Sequence, residues 1–120
     1  MLKKVIYYPD TRGQIPALEF LLGLSRDEQQ KAFAYVSYLE ERGEGLRRPV
    51  AEYLGNKIYE LRPKQIRMLY FFMLKDCIVL VHAFRKKTNA VPIREIKIAR
   101  SRMEDFVRRY EAGLIQLGGF

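Results

Sequence analysis

Residues 57–88, KIYELRPKQIRMLYFFMLKDCIVLVHAFRKKT, decide the fold. Ile58 to Arg62 has strand character, Pro63-Lys64-Gln65 supplies a turn, and Arg67 to Met73 resumes the strand pattern. Lys75-Asp76 makes a second turn. Ile78 to Phe84 is then an almost unbroken apolar run, suited to a central strand covered on both faces. Three adjacent antiparallel strands result. The same half of the chain carries the charge: residues 57–109 hold 14 Lys/Arg against 5 Asp/Glu, whereas residues 1–56 hold 8 of each. The net charge of +8 is therefore a patch held on a rigid sheet, which suits a polyanionic partner.

Outward from the meander, Val5 to Tyr8 favours a first strand near residues 3–8, ended by Pro9-Asp10 and Arg12-Gly13. Pro16 suits the first turn of a short helix that ends near Gly23. Ser25 and Glu28 have the spacing of a capping box, and Ala32, Phe33, Val36 and Leu39 give a second helix its apolar stripe until Gly43. Residues 43–56 show no sustained periodicity and are expected to be a connection with about one turn of helix. Pro92 can open a last helix, whose stripe of Ile93, Ile96, Ala99, Met103, Phe106 and Tyr110 is flanked by cations, with Gly113 as its stop. The expectation is one α+β domain over residues 1–120: a two-layer arrangement of two N-terminal helices on a mostly antiparallel twisted sheet of about four strands, plus a C-terminal helix.

With 120 residues and 48% hydrophobic content the chain can bury one core and is short for two. Its single cysteine, Cys77, allows no intramolecular disulfide, and no His/Cys cluster suggests zinc. Neither a secretory leader nor a membrane-length apolar run is present, so a cytoplasmic location and no membrane partner are expected. Phosphate-binding glycine loops for nucleotides are missing too, and no cofactor is expected.

The chemistry-bearing residues gather at one end of the predicted sheet. Arg62 closes one strand and Arg67 opens the next; Lys86 and Lys87 follow the third, and Arg94 opens the last helix. Converging cations hold flanking phosphates and neutralise the extra charge of a pentavalent phosphorus transition state. A lysine crowded by cations also has a lowered pKa and can move protons without a metal. The plainer reading of these five is a solvated basic surface. Glu60 shares a strand face with Arg62, either as a general base or as the carboxylate that orients the guanidinium. Arg85, Lys97, Lys57 and Lys64, together with Arg94, are candidates for holding the phosphates of a polyanion. His82, inside an apolar strand, reads as a buried hydrogen-bonded histidine, and Cys77 as a core thiol. Tyr7, Tyr8, Tyr59, Tyr70, Phe71 and Phe72 fit a core better than a set of base-stacking platforms.

LGNKIYELRPKQIRMLYFF, followed by IVLVHAFRKKTNAVPIREIKIARSRMEDF, resembles the RelE/ParE toxin superfamily and, within it, the phage-derived HigB-like branch. The shared features are a glycine leading into YELR (59–62), Arg67 opening the next strand, F-x-K-K-T at 84–88 and a Pro-x-R-E helix start at 92–95. The resemblance implies a type II toxin that stops translation by metal-independent cleavage of mRNA on the ribosome. It also implies a cognate antitoxin, often with a helix-turn-helix domain. Arg67 would then support transition-state charge, Lys86 and Lys87 would form the basic catalytic segment, and Arg62 would shape the site. Two departures stand out: Ile58 and Glu60 replace a lysine pair of the mRNA-cutting relatives, and no tyrosine stands near Ile93-Arg94. The general base is thereby left open. Two other functions fit the same sequence, a non-catalytic RNA-binding or degenerate toxin-fold protein and a ParE-like gyrase inhibitor.

Overall fold

In the computed structural model, which describes residues 2–117, the elements in chain order are β1 (Lys4–Tyr7), α1 (Pro16–Leu22), α2 (Arg26–Arg42), a 3-10 turn (Gly43–Gly45), β2 (Ala51–Gly55), β3 (Ile58–Leu61), β4 (Ile66–Met73), β5 (Cys77–Arg85) and α3 (Ile93–Glu111). The strands lie in the order β1-β5-β4-β3-β2. β2 to β5 form an antiparallel meander, and β1 joins β5 in parallel at the far edge.

The α+β reading holds, with one strand more than expected. Residues 51–55, expected to lie in a connection, pair with β3 instead, placing Ala51 opposite Leu61 and Glu52 opposite Glu60. The turn between them has Asn56 and Lys57 at φ 52° and 72°, the two positive-φ positions of a two-residue hairpin whose twist matches that of its strands. Its short length and an irregular register near Tyr53 and Gly55 hide this strand from a period-two pattern.

Alternation along the strands builds two cores. Leu61, Met68, Tyr70, Ile78 and Leu80 face α1 and α2, whose contributions are Ala17, Leu21, Ala32, Val36 and Leu39. Ile58, Leu69, Phe71, Val79 and Val81 face the other way, onto Ala99 and Phe106 of α3. The C-terminal helix thus adds a further layer opposite the N-terminal pair, and β5 is covered on both faces as its apolar run predicts. Of the aromatic residues considered for stacking on bases, Tyr8, Tyr70 and Phe71 are buried, and Tyr59, Tyr70 and Phe72 pack on one another. Cys77 is buried as well, and loss of hydration pushes its thiol pKa up.

A bulge interrupts β5. The pairing passes from Leu69 opposite His82 to Tyr70 opposite Leu80, leaving Val81 as the extra residue. Both Val81 and His82 consequently serve the α3 side of the sheet, where strict alternation would separate them.

The capping box at the start of α2 forms. The Ser25 hydroxyl accepts from the Glu28 N–H at 3.3 Å and donates to the Glu28 carboxylate at 3.1 Å. Arg85, at the end of β5, grips the same carboxylate with both arms at 2.6 and 3.1 Å and holds its pKa down to about 2. Replacing Ser25 with alanine should remove about 1 kcal/mol of stability, read as a shift in urea midpoint at unchanged slope. A parent-like midpoint would mean that the box is dispensable. Among the described residues no helix is long and apolar enough to cross a membrane.

Candidate active site

Three strand ends meet at one edge of the α3 face. β3 ends at Leu61, the turn at residues 62–65 reverses the chain with Lys64 at φ 53°, and β4 starts at Ile66. The Lys86 N–H closes on the Gln65 carbonyl at 2.7 Å, and the Arg62 N–H on the Val50 carbonyl at 2.9 Å. These backbone bonds bring the ends of β3, β4 and β5 and the start of β2 together. Between them and the first turns of α3 lies a cleft of about 270 Å³. Glu52, Glu60, Arg62, Arg67, Lys86 and Lys87 supply its charges, and Leu54, Phe84, Pro92 and Ile96 its apolar wall.

Glu60 lies at its floor, 2% exposed. Its Oε1 is 3.5 Å from Arg62 Nε, and its Oε2 is 3.8 Å from Arg67 Nε, beyond hydrogen-bond length. Among the described residues Glu60 Oε2 is the buried side-chain polar atom without a hydrogen-bond partner. Burial pushes its pKa up, and the nearby Glu52 adds to this; Arg67, Arg62 and Lys86 pull the other way without reversing the shift. A buried carboxylate with one oxygen unsatisfied is primed to take a proton or a hydrogen bond from a bound ligand.

The two arginines differ. Arg67 is 6% exposed and spends its Nη1 on the carbonyls of Lys64 and Ile66, both at 2.8 Å. It braces the turn as well as facing Glu60. Arg62 is half-buried and bridges two carboxylates, its Nη1 lying 3.4 Å from Glu52 Oε2. Lys86 is half-buried and Lys87 exposed, and among the described residues neither ammonium has an ion-pair partner.

A half-buried network pins α3 beside this cleft. His82 Nε2 meets Glu95 Oε1 at 2.8 Å, and Arg102 Nη1 donates to His82 Nδ1 at 3.2 Å and to the Val81 carbonyl at 2.9 Å. Since Arg102 has only donors, Nδ1 must accept, so the imidazole is neutral and carries its proton on Nε2 toward Glu95. Burial lowers the His82 pKa despite that carboxylate. His82 is therefore the hydrogen-bonded interior histidine that its apolar strand suggests, and the carbonyl at the bulge is satisfied by Arg102.

Of the residues singled out in the sequence, the structure brings Arg62, Arg67, Lys86, Lys87 and Glu60 together. Lys64 is exposed at the tip of the adjoining turn. Arg94 is not part of the cleft; with Lys97, Ile98 and Ser101 it lines a shallow groove on the outer side of α3. Lys57 belongs to the opposite end of β3, beside Phe72, Leu74 and Met103. Arg85 is on the α2 side of the sheet, committed to Glu28, because alternation along β5 turns it away from Phe84 and the cleft. Glu52 escaped the sequence reading because its strand did; pairing AEYLG with IYEL across the Asn56-Lys57 turn would have found it. Among the described residues no three of His, Cys, Asp and Glu are grouped to hold a metal ion.

A mixed five-stranded sheet flanked by helices, with a basic cleft at its strand ends, is compatible with a RelE-like fold. The chain belongs to the family described as Phage derived protein Gp49-like (DUF891), a RelE/toxin-like family whose model matches residues 19–104. Every cleft residue named above falls inside that match. A search of curated proteins gives no match to the chain.

Proposed function

We propose that the protein is a HigB-like toxin of a type II toxin–antitoxin system and inhibits translation as an endoribonuclease acting on mRNA at the ribosome, in the cytoplasm. The observation that carries this reading is Glu60 Oε2, a buried carboxylate oxygen without a hydrogen-bond partner on the floor of a cationic cleft. In the proposed reaction the RNA 2′-hydroxyl gives its proton to Glu60 as its oxygen attacks the adjacent phosphorus. The 2′-oxygen–phosphorus bond forms, the bond to the 5′-oxygen breaks, and the products are a 2′,3′-cyclic phosphate and a 5′-hydroxyl. Lys86 and Arg62 offset the charge that develops on the phosphoryl oxygens, and Lys86 or water protonates the leaving oxygen. Lys87 and Lys64 hold flanking phosphates. No cofactor enters this scheme: Glu60 takes one proton, and Lys86 or water supplies the other. The +9 balance of residues 57–109 supports a partner antitoxin that presents acidic side chains.

The test is primer extension on a reporter mRNA from cells briefly induced for the protein. The parent should produce new 5′ ends inside translated codons. Lys86→Ala/Lys87→Ala should reduce them about a hundredfold or more, the scale for removing charge stabilisation from a phosphoryl transition state. Lys31→Ala, an exposed charge on α2, should cut like the parent. Growth arrest with intact mRNA would replace this function with action on a protein target such as gyrase, and RNA binding without scission would leave a binding protein.

A further inference from the structure

Glu52 is a carboxylate with two arginine partners and no part in the chemistry proposed above. Its Oε1 pairs with Arg48, and its Oε2 stands 3.4 Å from Arg62 Nη1. Arg62 in turn reaches Glu60 Oε1 with Nε at 3.5 Å. The Arg62 backbone is fixed, its N–H held by the Val50 carbonyl at 2.9 Å, so the side chain must choose how to share its fork between Glu52 on β2 and Glu60 on β3. These two carboxylates are directly paired in the sheet. Without Glu52 the fork has one acceptor left, and a bidentate guanidinium–carboxylate pair is the preferred geometry.

We propose that Glu52 is a positioning residue of the cleft: by holding one arm of Arg62, it prevents that guanidinium from closing on Glu60 and keeps Glu60 Oε2 open to a substrate proton. The catalytic meaning of this arrangement rests on the function proposed above; the arrangement itself does not. The charged groups facing Glu60 are Glu52 from β2, Arg62 after β3, Arg67 from β4 and Lys86 after β5. From α3 the cleft receives Ile96, while Glu95 is engaged with His82. Of the four charges, Glu52 is the one that disfavours the ionised form of Glu60.

Two readouts follow Glu60. Side-chain carboxyl carbon NMR on the selectively labelled protein gives its titration midpoint with or without activity, and the pH dependence of cleavage gives the same group in the working enzyme. In Glu52→Gln the midpoint should fall. The acid limb of the rate profile should move with it to lower pH, and plateau kcat should drop about twofold to fivefold at little-changed KM, as for a weakened general base. In an Arg62→Ala background the same substitution should move the midpoint much less, because the arm it releases is gone. An unmoved midpoint in Glu52→Gln, or an equal shift in both backgrounds, overturns the proposal. If the midpoint shifts as expected but the parent cuts no RNA, the arrangement stands and the endonuclease function falls.

Discussion

Glu60→Gln will remove the proposed RNA cleavage while leaving the protein folded at least as firmly as the parent. A general base contributes about 10² to 10⁴-fold to rate, so the loss should be on that scale. If Glu60 served only to orient Arg62, the glutamine carbonyl oxygen would still stand beside Arg62 Nε where Oε1 stands at 3.5 Å, and the rate would fall less than about tenfold. Stability should move the other way. Burial raises the Glu60 pKa, so its charged form is disfavoured in the folded protein relative to the unfolded chain. That penalty is fully present above the folded-state pKa and disappears as the pH falls below the unfolded value. The melting temperature of Glu60→Gln should thus equal or exceed that of the parent at neutral pH, with any advantage lost in acid. The arginines keep other partners, Arg62 the Glu52 carboxylate and Arg67 two carbonyls. Thermal melts at two pH values alongside single-turnover cleavage check both halves, and a marked drop in melting temperature would make Glu60 a structural residue first.

Arg67→Ala should act mainly on folding. The guanidinium is buried, satisfies the carbonyls of Lys64 and Ile66 and faces the carboxylate of Glu60. Removing one member of such a buried pair costs about 3 to 5 kcal/mol, because the remaining charge keeps its desolvation without compensation. A loss of that size takes away a large part of the stability of a small domain. Arg67→Lys should recover some of it, since one ammonium keeps the charge but cannot reproduce the planar fork. Urea midpoints of the three proteins decide the matter. If Arg67→Ala unfolds at the parent's midpoint, the bracing role is wrong and the arginine is free for substrate. Loss of toxicity in Arg67→Ala therefore identifies a catalytic residue only when the folded fraction is measured too, whereas Lys86→Ala removes an ammonium that braces no carbonyl.

How much of this could be read from the residues varies along the chain. The meander was legible because Pro63-Lys64-Gln65 and Lys75-Asp76 separate three strand-like runs, and the helices because Ser25 and Pro16 announce their starts. β2 was not, because AEYLG is short and edge-placed and its hairpin turn uses Asn56-Lys57 without glycine at either centre. The cluster of Arg62, Arg67, Lys86 and Lys87 followed from strand ends alone. Arg85 and Arg94 show the limit of that reasoning: Arg85 and its neighbour Phe84 on β5 face opposite sides of the sheet, and two residues, about 200° around α3, separate Arg94 from the Ile96 that lines the cleft. The unsatisfied oxygen of Glu60 was beyond sequence reading altogether, since it depends on how two guanidiniums divide their bonds.

The parallel pairing of β1 with β5 has a consequence for the timing of synthesis. β1 emerges before β5 and finds its neighbour only when residues 77–85 exist, and the cleft has its second wall only after the start of α3 has followed them. A nascent chain cannot complete the sheet or the cleft early, because their contacts join segments far apart in sequence. The charged floor of the cleft and its apolar wall are in this way brought together only once β5 and the start of α3 have both been made.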